Sequence, residues 1–284
     1  MADLQVVEHR SVSQLKLYER CPYAYKLSRL DGVWQRPAAW LPQGSAVHEA
    51  VEAWERSGRT MSVEDTQDVF RESYMTHVNT YCEIAPNFDS WFKSGPYGGE
   101  LDIERRFQIG LEQTAKYIDW YTDHPTEVIW IAPDGTPGIE LGFDIDLDGV
   151  LVRGFIDAII EDTSDKVLSY DGLGVHVGNP RSQPKLIVRD NKTGNHPGDD
   201  FQLAVYAVAL QEMYGTFGPY WGDYWMGRSG KPTLLFDLRD WTREKVSQKF
   251  RELEDNIIAG NFEASPEPSK CRFCDVAWAC EYSQ

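Results

Sequence analysis

The chain has 284 residues, 42% hydrophobic and 13% aromatic, enough to bury a sizeable core in one large domain. No apolar run reaches membrane-spanning length and the first residues lack a signal-peptide apolar segment, so the expectation is a soluble, intracellular, cytoplasmic protein. A formal net charge of −17 argues against nucleic-acid binding over the whole surface, because neutralising phosphates takes Lys and Arg. It leaves room for a local basic groove, or for a carboxylate site that a cation neutralises.

In chain order, residues 11–27 read as a helix capped by Ser11 or Ser13 and broken near Cys21 by Pro22. Leu15, Tyr18 and Tyr25 are its core candidates; Lys16, Arg20, Lys26 and Arg29 make it locally positive. Residues 42–54 read as a second helix, with Val47, Ala50, Val51 and Trp54 on one apolar stripe and His48 beside it. A lone histidine in that position is more often packed than a ligand. Gly44 allows a close backbone approach. Residues 62–82 and 99–123 carry helical patterns and are joined by a loop rich in Pro, Gly and aromatics.

From residue 139 the hydrophobic period changes to two. Residues 139–147 and 150–160 read as strands joined by Asp148–Gly149, an Asp-Gly hairpin turn. Asp157 is a carboxylate in an otherwise apolar strand. Burying it unpaired costs several kcal/mol, so it needs a cation, a lysine or strong donors. Glu140 is a weaker candidate for the same neighbourhood. Residues 162–184 read as a polar surface excursion in which His176 is exposed.

Residues 185–194 open with the apolar run Leu186–Ile187–Val188, a short buried strand, and end on a turn at Thr193–Gly194. Strand alternation puts Asp190 and Lys192 on the same side, roughly 7 Å apart at Cα. A carboxylate can hold a divalent cation there. A lysine beside it lowers the cost of forming hydroxide and of building negative charge on a phosphate. Alone, Asp-x-Lys is as well explained as a surface ion pair. Residues 199–213 read as a helix with Gln202 and Tyr206 on one face, aimed at whatever the Asp190 strand holds or else packing as a partly polar face. Residues 221–226 and 233–238 then suggest a hairpin, and residues 240–258 an amphipathic helix.

Five cysteines in such a chain point to a metal site or free thiols rather than a disulfide framework. Cys271, Cys274 and Cys280 are spaced as metal ligands, with Cys21 as the candidate fourth. Four thiolates suit a [4Fe–4S] cluster or a structural Zn²⁺, and spacing does not choose between them. Either would staple the chain ends across about 250 residues.

The ordered set of Ser-x-Ser-x-Leu-x-x-Tyr-x-x-Cys-Pro, His48, Gly-x-x-Asp157, Asp190-x-Lys192, Gln202-x-x-x-Tyr206 and the three late cysteines resembles the RecB-like nucleases of the PD-(D/E)XK superfamily. It looks most like their iron–sulfur branch, which includes the CRISPR-adaptation nucleases and stand-alone phage exonucleases. The resemblance implies an α/β (α+β) fold with a restriction-endonuclease-like core. Its mixed central sheet is flanked by helices, and a four-cysteine cluster joins the N- and C-terminal segments. It implies a single nuclease domain over residues 1–284. Within that domain, residues 11–30 with 266–284 would form the cluster region, 42–135 a helical region and 139–238 the nuclease core.

The implied chemistry is Mg²⁺- or Mn²⁺-dependent exonuclease action on DNA, single-stranded or with a free end, giving 5′-phosphate products in recombination, repair or end processing. His48, Asp157, Asp190 and the backbone carbonyl of Asn191 would hold metal, and Asp157, Asp190 and Lys192 would be catalytic. Gln202 and Tyr206 would contact substrate, and Cys21, Cys271, Cys274 and Cys280 would hold the cluster. A homo-oligomer or protein partner is also implied, as is a phage protein acting in the host cytoplasm. The alternative is a non-catalytic DNA-end or protein-complex adaptor that keeps the fold.

Overall fold

A computed structural model of the chain describes residues 9–164, 185–215 and 218–284, together with the backbone of 167–170 and 175–178. The N-terminal helix is broken where Pro22 requires it. Helix α1 (Val12–Arg20) starts at Ser11, whose side chain accepts from the Gln14 N–H, and ends at the extended Cys21. Helix α2 (Pro22–Tyr25) takes Pro22 at its first position, where the missing N–H costs nothing, and runs on into one π-helical turn (Lys26–Leu30). Three long helices follow: α3 (Trp40–Arg56), α4 (Val63–Ile84) and α5 (Glu100–Asp123).

The sheet is organised around a thirteen-residue strand. Strand β1 (Glu127–Ile129) and strand β2 (Ile139–Leu147) both pair antiparallel with β3 (Val150–Asp162). The β2–β3 turn is the expected one: Asp148 and Gly149 both have positive φ, 57° and 91°, which matches the twist of the strands it joins. Residues 162–184 depart from expectation. Within them β4 (Val167–Tyr170) and β5 (Val175–Gly178) form a hairpin that extends the sheet, because these short apolar runs satisfy an otherwise open strand edge. The side chain of His176 lies outside the described residues.

On the far edge of β3 lies β6 (Lys185–Lys192), paired antiparallel. Helix α6 (Asp200–Tyr214) then crosses over to β7 (Trp221–Met226), which runs parallel to β6, as a crossover connection allows. The return strand is split into β8 (Lys231–Pro232) and β9 (Leu235–Asp237), and β9 also pairs parallel with β4. The result is a mixed sheet with nine strands among the described residues. Helix α7 (Arg243–Ile258) and the short α8 (Pro268–Cys271) complete the chain.

Two cores sandwich the sheet. Helices α1, α6 and α7 cover one face, where Leu15, Tyr25, Ile156, Val188, Leu203 and Phe250 are buried. Helices α3, α4 and α5 cover the other through Val47, Trp54, Phe70, Tyr117, Ile160 and Trp225. Between β6, β7 and α5 runs a buried ionic clamp. The Arg189 guanidinium donates two 2.7 Å hydrogen bonds to its register partner Asp223, a third, of 2.9 Å, to the Tyr121 hydroxyl and a fourth, of 2.5 Å, to Glu127. Arg189 and Asp190 are consecutive on β6 and face opposite sides, so the clamp fixes the strand that presents the Asp190 carboxylate. No described helix is long and apolar enough to cross a membrane.

Candidate active site

The strand end at Asp190–Lys192, the middle of β3, the start of β2 and the middle of α3 converge on one cluster. His48 comes from α3, whose N-terminal half approaches the turn after β6 closely. A Cβ on Gly44 would sit 3.3 Å from Thr193 Oγ1, so the expected close approach is present. His48 Nε2 lies 2.9 Å from the Asn191 carbonyl oxygen, and its Nδ1 lies 3.4 Å from Glu140 and 3.5 Å from Asp157. Asp157 also accepts a 2.7 Å hydrogen bond from the Asn191 N–H.

His48, Glu140 and Asp157 offer ligand atoms within 4.8 Å of one another, the one such group of three among the described residues. Burial alone would lower the His48 pKa, but the charges of Asp157, Glu140 and Asp190 outweigh it and push it up to about 9. Burial, reinforced by the Asp190 and Glu140 charges, pushes Asp157 up to about 7 despite the opposing pull of His48. With its pKa raised, the imidazolium partly balances the carboxylates at neutral pH, and a cation that takes His48 would have to displace its proton. One imidazole and a set of hard carboxylate oxygens, short of positive charge, fit a divalent cation.

Glu140 supplies what the sequence reading held as a weaker candidate. It is a non-glycine residue at φ 42°, opposite Asp157 in the β2–β3 register. A left-handed residue inside a strand costs of order 1–3 kcal/mol, and such strain concentrates at functional sites. Here it coincides with the turning of the Glu140 carboxylate toward His48. No alternation pattern could have flagged it, because the feature lies in the backbone.

Asp190 adjoins this group without belonging to the compact three. Its Oδ1 accepts from Gln202 Nε2 (2.5 Å) and from the Tyr206 hydroxyl (3.1 Å), and its Oδ2 lies 2.7 Å from Lys192 Nζ. Gln202 Oε1 in turn lies 3.4 Å from both Lys192 Nζ and Lys16 Nζ. The side chain of Asp199 caps α6 by accepting from the Gln202 N–H and stands 3.0 Å from Lys16 Nζ. Gln202 and Tyr206 therefore grip Asp190, and Lys16 is a neighbour the sequence reading did not assign to the site. Its position beside Gln202 depends on a contact 186 residues apart in sequence.

At the other end of α1, Cys21, Cys271, Cys274 and Cys280 line one apolar cavity of about 30 Å³ with Ala24, Leu27 and Val276. The compact cluster expected of these residues is not formed. Every cysteine is a free thiol, and no three of the described sulfurs lie within 4.8 Å of one another. Burial pushes the Cys274 thiol up. A tetrahedral zinc site needs sulfurs about 3.8 Å apart, from a Zn–S bond of about 2.3 Å.

The family profile described as the PD-(D/E)XK nuclease superfamily matches residues 9–171 and 177–281. The gene 69 protein of Mycobacterium phage D29 is 49% identical over 278 residues, covering 95% of this chain and 96% of that protein. The gene 69 protein of Mycobacterium phage L5 is 48% identical, covering 95% of each. Among solved structures, a Eubacterium rectale protein provisionally named an exonuclease aligns over 98% of this chain and 90% of its own, with 12% identity and a TM-score of 0.48.

Proposed function

The chain belongs to the PD-(D/E)XK nuclease superfamily, and from that premise we propose that it is a Mg²⁺- or Mn²⁺-dependent DNA exonuclease of the RecB-like type. The observation that carries the reading is the meeting of two groups: His48, Glu140 and Asp157 within 4.8 Å, and the Asp190–Lys192 pair at 2.7 Å beside them. His48, Glu140, Asp157, Asp190 and the Asn191 carbonyl would hold the cation. When bound, it supplies Lewis-acid charge for the phosphate and the attacking water. Lys192 orients that water and stabilises the negative charge that grows on it. Gln202 and Tyr206 keep the Asp190 carboxylate aimed, and Lys16 adds positive charge on the substrate side. The product carries a 5′-phosphate.

The cysteine cavity holds a [4Fe–4S] cluster in this reading, supported by four thiols around one apolar space. The whole chain is one nuclease domain, phage-encoded and acting in the host cytoplasm. Digestion of end-labelled single- and double-stranded DNA with either metal tests the assignment. Cleavage by wild type and not by Lys192→Ala is the expected result; a fully active Lys192→Ala removes it. Binding without cleavage under any divalent metal favours the adaptor alternative. Anaerobic purification with iron, sulfide and zinc analysis tests the cluster, and stoichiometric zinc without sulfide overturns it.

A further inference from the structure

The lobe built from residues 20–36 and 265–284 differs from the rest of the surface. It is roughly an eighth of the chain, yet it holds four of the seven exposed aromatic side chains among the described residues: Trp34, Phe273, Trp278 and Tyr282. Trp278 is 62% exposed and Phe273 52%. Trp278 packs edge-on against Trp34 at 6.0 Å and donates to its carbonyl, and Tyr282 packs edge-on against Tyr23 at 5.1 Å, which holds the rings in place while their outer faces stay exposed. The same segments carry six Lys and Arg against four Asp and Glu, in a chain whose net charge is −17. Arg20 and Arg36 donate to backbone carbonyls, of Lys270 and Ser90, and Arg272 lies over the Phe273 ring at 5.4 Å. None of these three pairs with a carboxylate among the described residues.

Helix α1 links this lobe to the active site. Lys16 Nζ reaches Gln202, and Arg20, one turn later on the same helix face, reaches Lys270. Exposed π-faces, guanidinium groups without carboxylate partners, and a cationic step back to the Asp190 strand are the components of a single-strand track. Bases stack on the rings while the arginines follow the phosphates. We propose that single-stranded DNA entering or leaving the active site runs along Lys16 and Arg20 and is held on the cysteine lobe by stacking on Trp278 and Phe273, with Arg272 at its phosphates. This rests on the nuclease reading for its substrate.

The test separates the two. Anisotropy of a fluorescein-labelled single-stranded oligothymidylate, and of a blunt duplex, is measured in EDTA with full-length Lys192→Ala and with the same protein carrying Trp278→Ala, Phe273→Ala, Arg272→Ala or Trp278→Phe. Each aromatic loss is expected to weaken single-strand binding on the order of tenfold, with Trp278→Phe retaining most of it and duplex binding unchanged. Arg272→Ala is expected to reduce the salt slope by about one. Unfolding temperatures confirm that the surface variants fold, and Phe273→Ala serves if Trp278→Ala does not. Equal single-strand affinity in the folded variants overturns the track, even if wild type cleaves DNA. Lobe-dependent binding by a wild-type protein that cleaves nothing leaves the track standing and removes the nuclease.

Discussion

The His48 cluster and the cysteine lobe are built in opposite ways. At the His48 cluster each polar group is held by another: Asp157 by the Asn191 N–H, Asp190 by Gln202 and Tyr206, His48 by the Asn191 carbonyl. In the cysteine lobe the thiols line a cavity with a single polar contact between them and the backbone of the other segment, from the Ser265 N–H to Cys21 Sγ at 3.5 Å. Preorganisation in the first case comes from strands locked in register; in the second, the cluster proposed above would itself have to bring the chain ends together. A site of the first kind should lose activity without losing its fold, and one of the second kind should lose its fold with its ligand.

That contrast can be broken most directly at Lys192. Lys192→Ala is expected to lower DNA cleavage by on the order of 10³-fold while the unfolding temperature stays within a few degrees, read by end-labelled digestion beside a thermal melt. The clamp behind the site gives the largest stability effect. Arg189→Met strands the buried Asp223 and the largely buried Glu127 and should cost about 3–5 kcal/mol in denaturant unfolding, whereas Arg189→Met with Asp223→Leu and Glu127→Gln should recover much of it. If the single variant is as stable as wild type, the clamp is not what fixes β6.

Cys274→Ser sharpens the other side of the comparison. It should abolish cluster absorbance and lower stability by a few kcal/mol, as loss of a long-range cross-link does, while metal titration at the His48 cluster is unchanged. Equal loss of both would mean that the regions are coupled. Glu140→Gly should relieve the left-handed strain and raise or preserve the unfolding temperature, a gain of about 1 kcal/mol at most after the entropy of glycine. The same variant should weaken divalent metal binding at least tenfold by calorimetry. The smallest effect is expected at Asp199→Ala, which removes the α6 cap for about 1 kcal/mol and lets Gln202 drift, lowering cleavage only a few-fold.

Much of the frame was legible in the sequence because its signals are local. Helix α1 ends where Pro22 requires, the Asp148–Gly149 turn has the predicted handedness, and β6 carries Asp190 and Lys192 on one side, as alternation demands. The hairpin β4–β5 was missed because its short apolar runs are surrounded by polar, Gly- and Pro-containing sequence that reads as loop. Membership of the nuclease superfamily followed from an ordered string of short motifs, each weak alone. By itself the sequence determined the long helices, the β2–β3 hairpin, the Asp190–Lys192 pair and the spacing of the cysteines, since these depend on neighbours within a turn or a strand, but not β1 or the β4–β5 hairpin. Only the tertiary structure decided that Glu140 rather than Asp190 completes the compact trio with His48 and Asp157, that Lys16 stands beside Gln202, and that the four thiols surround a cavity instead of meeting. Those outcomes are set by backbone strain and by contacts between residues far apart in the chain, which no local pattern encodes.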